Sequence, residues 1–122
     1  ASLVAGCGQD AGTADGERPD AATWATTWDE VRAIVPDIDV LGDPPDPDVC
    51  EDTVSALRDA REDLYPTPDE LVEVEVDKWM LEATSIFFEC FEADIGADTI
   101  AQSYAELERL AAEVTTALET VQ

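Results

Sequence analysis

Ile100, Tyr104, Leu107, Ala111, Val114, Leu118 and Val121 recur at alternating spacings of four and three residues. That spacing places all seven on one face of a helix. The helix is predicted from about Thr99, capped by Asp98, to near the end of the chain. Such a helix is stable only when its apolar face is covered, so the chain must supply other apolar helical faces. Three more are legible. Trp24, Trp28, Val31, Val35 and Ile38 share this spacing in a helix from about Ala21 to Val35, with Asp20 as N-cap and Pro36 as terminator. Cys50, Thr53/Val54, Leu57, Ala60 and Leu64 line a helix from about Val49 to Leu64, where Asp48 and Glu51 make a capping-box-like pair. The strongest start signal is Thr67-Pro68-Asp69-Glu70, with Thr67 as N-cap, Pro68 at the first helical position and Glu70 at the third. From there a helix is predicted to about Asp94, with Gly96 as its C-terminal stop. Its stripe is Val72, Val76, Trp79, Ala83, Ile86, Cys90 and Ala93, widened by Met80, Phe87 and Phe91.

Short connections between the last three segments imply antiparallel neighbours. The predicted fold is therefore all-α: a small antiparallel bundle of about four helices over residues 21–122. Glu73-Val74-Glu75-Val76 alternates with the period of a strand but lies inside a well-capped helix. Pro44, Pro45 and Pro47 preclude a helix or central strand in the loop Asp37–Asp48.

Composition excludes several functions. Acidic residues number 30 and basic residues 6, for a net charge of −24, and there is no histidine and one lysine, Lys78. Histidine-based acid/base catalysis, Ser-His-Asp or Cys-His nucleophiles and histidine-containing zinc sites are thereby ruled out. Six scattered cations cannot neutralise a run of phosphates, so a nucleic-acid partner is not expected. Apolar residues reach 45%, too many for a disordered acidic tail.

The chain opens Ala1-Ser2-Leu3-Val4-Ala5-Gly6-Cys7-Gly8: small apolar residues run into a cysteine, and a polar, glycine-containing stretch follows. This start resembles the lipobox of bacterial lipoproteins, with Val4, Ala5 and Gly6 at the three positions before the cysteine. The resemblance implies that the Cys7 thiol receives a diacylglycerol (a palmitate-type anchor) and that residues 1–6 are the remnant of a signal peptide. It implies a domain held by lipid at the extracytoplasmic face of a bacterial cell membrane. Residues 7–20 then form a flexible acidic tether, since Gln9 to Asp20 contains no large apolar residue. Its r.m.s. reach is roughly 20 Å by flexible-chain scaling. Inside the domain the longest apolar run, Ile86-Phe87-Phe88, is far short of the ~20 residues that span a bilayer. Scarce lysine with abundant Ala, Asp, Glu and Thr suits a GC-rich bacterium or a salt-adapted one. The whole pattern looks like small actinobacterial lipoproteins of unknown role.

Three cysteines are an odd number, and assigning Cys7 to lipid leaves Cys50 and Cys90 to pair. Antiparallel helices bring the start of the second segment to the end of the third, which suits a disulfide in an extracytoplasmic domain; the alternative is two buried free thiols. The bond would contribute roughly 3–4 kcal/mol by chain entropy. Helix lengths differ, however. Cys50 lies roughly 21 Å from Leu64 and Cys90 roughly 33 Å from Pro68, so about 12 Å must be absorbed, with a bend or displaced turn near Val72–Val76 expected. Without Cys-x-x-Cys and in acidic surroundings, the pair is not expected to be redox-active.

Asp37, Asp39, Gly42 and Asp48 fall at positions 1, 3, 6 and 12 of an EF-hand calcium loop. Leu41 at position 5, aspartate at position 12 and three prolines depart from that pattern, so Asp37, Asp39 and Asp48 are weak metal candidates beside a solvated linker. Trp24, Trp28 and Trp79 are either core or the lining of a ligand groove. Tyr65 and Phe88 lie beside the main stripes and are candidate exposed contacts. Abundant carboxylate pairs single out no catalytic pair. The expected function is non-enzymatic and needs no cofactor: a membrane-anchored lipoprotein that binds another protein, or an accessory subunit of a membrane complex. The alternative is a cation- or small-ligand-binding lipoprotein using the Asp37–Asp48 loop or a tryptophan-lined groove.

Overall fold

Acidic side chains set where the helices begin. The computed structural model describes residues 18–92 and 95–121, in the order α1 (Ala21–Arg32), α2 (Ile38–Leu41), α3 (Pro47–Ala60), a 3-10 turn (Arg61–Leu64), α4 (Glu70–Glu92) and α5 (Ala97–Val121). Asp20 caps α1 by accepting from the Thr23 amide at 2.9 Å. Asp46 caps α3 by accepting from the Asp48 amide at 2.9 Å, and Asp69 caps α4 by accepting from the Leu71 amide at 2.9 Å. Each carboxylate also sits at the positive end of its helix dipole.

Two of these caps correct the expected ones. Asp46 displaces Asp48 because it precedes Pro47: the proline holds Asp46 out of the helical region (φ −78°, ψ 115°) and takes the first helical position itself. Thr67 is not the cap of α4. It is fully buried, and its hydroxyl donates to the Asp69 carbonyl at 2.7 Å, so the helix starts only at Glu70. The other ends shift by a turn or less. α1 stops at Arg32, where the Ile34 amide bonds the Val31 carbonyl at 3.0 Å in a tightened last turn ahead of Pro36. Gly96 leads into α5, its carbonyl accepting from the Ile100 amide at 3.3 Å, and α5 begins at Ala97. The single turn α2 fits before the prolines, and Gly42 ends it in the left-handed region (φ 81°), which disfavours any residue with a Cβ.

The architecture is the all-α antiparallel bundle, with four helices of twelve residues or more and no strand among the described residues. Residues 73–76 are helical. α4 is central. It packs against α3 on one side and α5 on the other, while α1 rests on the 3-10 turn and α2 on α5. Val72, Val76, Trp79, Met80, Ala83, Ile86, Phe87 and Cys90 form its buried face. Leu57 and Leu64 from the α3 side, Ile100, Leu107, Leu110 and Val114 from α5, and Trp24, Trp28 and Val31 from α1 complete one core. Phe91, expected in the stripe, is exposed instead, and Ala93 lies outside the described residues.

Cys50 and Cys90 form a disulfide with Cα atoms 5.9 Å apart, joining the first turn of α3 to the last turn of α4. The length difference is not absorbed by a bend, since α4 is continuous through Val72–Val76. The late start at Glu70 shortens one leg to about 30 Å, and the 3-10 turn, rising about 2 Å per residue, lengthens the other to about 23 Å. Residues 65–69 span the rest. The bond closes a 40-residue separation, so reducing it, or the double change Cys50→Ala/Cys90→Ala, is expected to lower unfolding stability by about 4 kcal/mol. Urea denaturation followed by circular dichroism, with and without reductant, checks this.

Candidate functional site

The three tryptophans do converge, but inside the bundle. Trp24 and Trp28, one helical turn apart on α1, stack with ring centres 5.7 Å apart, and Trp79 of α4 meets Trp28 edge-on at 5.1 Å. All three are buried. The Trp24 indole N–H donates to the Leu64 carbonyl at 2.8 Å, fastening α1 to the 3-10 turn. Among the described residues the buried Trp28 Nε1 has no hydrogen-bond partner. This cluster is core; an edge of Trp24 reaches a surface hollow beside Arg18 and Tyr65, and an edge of Trp79 reaches an open groove.

That groove has a volume of about 470 Å³, and its lining includes Arg32, Asp37, Asp39, Trp79, Tyr104 and Glu108. It is where the acidic loop meets the aromatic cluster. The Tyr104 hydroxyl donates to the Pro36 carbonyl at 2.6 Å and pins α5 to the segment between α1 and α2. Burial, and then the nearby Asp37 charge, push its pKa up to about 12. Asp48 is not brought to this groove; it lies exposed in the first turn of α3. Leu41, at the position where a calcium loop needs an oxygen ligand, is buried in the core. Among the described residues, no three aspartate, glutamate or cysteine side chains cluster as metal ligands.

The outer face of α4 is a second feature, and one that pattern reading missed. Leu71 (55% exposed), Val74 (51%), Leu81 (69%) and Phe88 (43%) all stand in solvent, opposite the buried face of the same helix. Only Phe88 was singled out from the sequence. The signal was present, since Val74, Leu81 and Phe88 are spaced by seven, but it was masked by treating α4 as one wide core stripe. Beside Leu81 is a notch of about 310 Å³ lined by Arg61, Asp77, Met80, Leu81 and Thr84. Tyr65, the other expected contact residue, is half-buried; its hydroxyl bonds Asp77, and burial, reinforced by that carboxylate, raises its pKa.

The six cations are all engaged locally. Arg18 donates to the Thr67 carbonyl at 3.0 Å and pairs with Glu73 at 3.8 Å, while Arg32 pairs with Asp29. Lys78 pairs with Glu75 at 3.5 Å, and Arg109 pairs with Glu106 at 2.5 Å and Glu113 at 3.9 Å. Arg58 lies over the Phe88 ring at 5.8 Å and Arg61 over the Tyr65 ring at 5.1 Å. Cys7 and the lipobox-like residues before it lie outside the described residues. Among the described residues, no helix is long and apolar enough to cross a membrane. Comparison with protein-family models, curated proteins and solved structures finds no match for the chain.

Two outcomes follow from this geometry. A phenol with a pKa of about 12 in the fold and 10.0 in its ordinary state holds its proton longer folded than unfolded. Its contribution to stability is intact below pH 10.0 and is lost as pH rises towards 12. Phenolate absorbance should therefore appear later in the native chain than in urea, and Tyr104→Phe should remove part of that delay. Trp24→Phe orphans the Leu64 carbonyl and leaves a smaller ring, so it is expected to cost about 2–4 kcal/mol in a urea denaturation.

Proposed function

We propose that this chain is a non-enzymatic protein-binding module, anchored to the extracytoplasmic face of a bacterial membrane by lipid on Cys7. The observation that carries the binding reading is the outer face of α4, where four large apolar side chains stand exposed on a helix whose other side is core. A small domain that leaves such a stripe uncovered has a surface suited to a partner. The anchoring reading rests on the lipobox-like residues Val4-Ala5-Gly6-Cys7. It is supported by the disulfide, which takes up the other two of the chain's three cysteines. In this reading the partner is a membrane-associated protein, and the chain serves as an accessory subunit.

The test starts with the chain isolated from its host. Mass spectrometry is expected to find a diacylglyceryl group on Cys7, and Cys7→Ser is expected to move the protein from the membrane fraction to the medium. An unmodified Cys7 thiol, or membrane retention of Cys7→Ser, would sink the anchoring half. Crosslinking in the intact membrane followed by mass spectrometry tests the binding half, with one stoichiometric protein partner as the expected result. The second reading, a small-ligand role, is favoured by the groove where Asp37, Asp39, Arg32 and Trp79 meet. A calcium titration that leaves the melting temperature unchanged would remove its cation version.

A further inference from the structure

We infer that the outer face of α4 is a coiled-coil seam whose occupant is an amphipathic helix of another protein, apolar along its centre and flanked by lysine or arginine. The inference rests on the protein-binding reading above and specifies the partner's chemistry. The spacing along the exposed face is the first argument. Leu71, Val74, Lys78, Leu81, Ser85 and Phe88 follow one another at three and four residues, the a and d positions of a heptad. They run about 26 Å along the helix. Lys78 and Ser85 interrupt the apolar seam, and a lysine at such a position is a device that sets register in such pairings. The notch between Arg61, Met80, Leu81 and Thr84 opens beside the middle of the seam, where it can receive a knob from the facing helix.

Charge selects among possible occupants. The seam is flanked on the α5 side by Glu75, Glu82 and Glu89, again spaced by seven; on the other side Glu70 and Asp77 flank its first half, with Arg61 beside Leu81 and Arg58 over Phe88 in its second. Glu75 lies close enough to α5 to feel the Arg109 charge, and Asp77 is bonded to Tyr65, which places the two rows on opposite edges. A second copy of α4 laid parallel would set Glu70 against Glu75 and Asp77 against Glu82. Laid antiparallel, it would set the Glu75, Glu82 and Glu89 row against itself. Both arrangements bring like charges together in a chain that already carries −24. Residues 1–17 are a poor occupant, because Leu3 and Val4 are their only large apolar side chains. A helix with basic residues facing Glu75, Glu82 and Glu89 along one edge, and Glu70 and Asp77 on the other, meets those carboxylates favourably and covers the seam.

The test uses the full chain and three synthetic peptides of equal length. One has a leucine seam with lysine at the flanking positions, one has the same seam with glutamate flanks, and one is a scramble of the lysine peptide with its charge kept and its seam destroyed. Binding is measured by calorimetry at several salt concentrations, with amide shifts mapped by NMR. The lysine-flanked peptide is expected to bind, to perturb residues 71–88, and to weaken as salt rises. The scramble and the glutamate peptide are expected to bind at least about tenfold more weakly. Leu81→Ser, an exposed change that leaves the net charge untouched, should weaken the lysine peptide by about tenfold while the helical spectrum and melting temperature stay the same. Equal binding of scramble and seam peptide, or indifference to Leu81→Ser, would overturn the inference. So would self-association of the chain that Leu81→Ser abolishes. Photocrosslinkers at Leu81 and at Glu113 in the membrane-anchored chain separate the two readings. A partner captured only at Glu113 leaves the protein-binding reading standing and removes this one.

Discussion

Residues Val72 to Cys90 on the inner side of α4 form the surface on which the rest of the bundle closes. α3 and α5 each pack against it, and Trp28 of α1 reaches it through Trp79. The disulfide reinforces the same helix, since Cys90 in its last turn holds the first turn of α3. The fold therefore has a centre and a periphery. A change on the inner face of α4 disturbs every neighbour at once. The connecting pieces, α2 and the 3-10 turn, are held by a few specific contacts: Leu41 in the core, Trp24 on the Leu64 carbonyl, and Tyr104 on the Pro36 carbonyl.

Charge works against this core. A domain with 30 acidic and 6 basic residues repels itself, and the repulsion grows as the chain compacts. Three responses are visible. Carboxylates occupy the positive ends of α1, α3 and α4, where each is stabilised by backbone amides. The scarce cations are placed beside carboxylates or over aromatic rings, and Arg18 joins residues far apart in sequence by bonding Thr67. The disulfide restricts the expanded states that repulsion would favour. Exposed ion pairs such as Arg109–Glu106 add little to stability, so hydrophobic burial and the disulfide carry most of the opposing force.

The helices were legible because their inner faces obey the helical period. Trp24, Trp28 and Val31, then Cys50, Val54 and Leu57, then Ile100, Leu107 and Val114, are all buried as their spacing implies. The pairing of Cys50 with Cys90 followed from antiparallel packing. Cap positions were less legible, because they depend on competition between neighbouring groups. Pro47 selects Asp46 over Asp48, and burial of the Thr67 hydroxyl against Asp69 removes it from capping. The short helix α2 is hidden by the proline-rich loop around it, yet Pro44, Pro45 and Pro47 all follow Leu41 and leave room for one helical turn. The outer face of α4 was hidden for a different reason. Pattern reading assigns apolar residues to the core, and a helix with apolar residues on both sides reads as deeply buried. Only the positions of α3 and α5 show that Val74, Leu81 and Phe88 are left over.

The two proposals are linked through one end of α4. Arg18 bonds Thr67 and pairs with Glu73, so the chain leaves the domain beside the first turns of that helix. If Cys7 carries lipid, the stretch from Cys7 to Arg18 can span at most about 40 Å even fully extended. The start of the seam at Leu71 is then held near the membrane surface, and Phe88 lies about 26 Å further along the helix. A partner helix belonging to a membrane protein would share that surface. Confinement of both to one plane raises their effective concentration, so even a seam weakened by Lys78 and Ser85 can be occupied. Anchoring and an imperfect, acid-flanked seam are thus complementary. In this proposal the lipid would supply proximity, and the charge pattern the choice of partner.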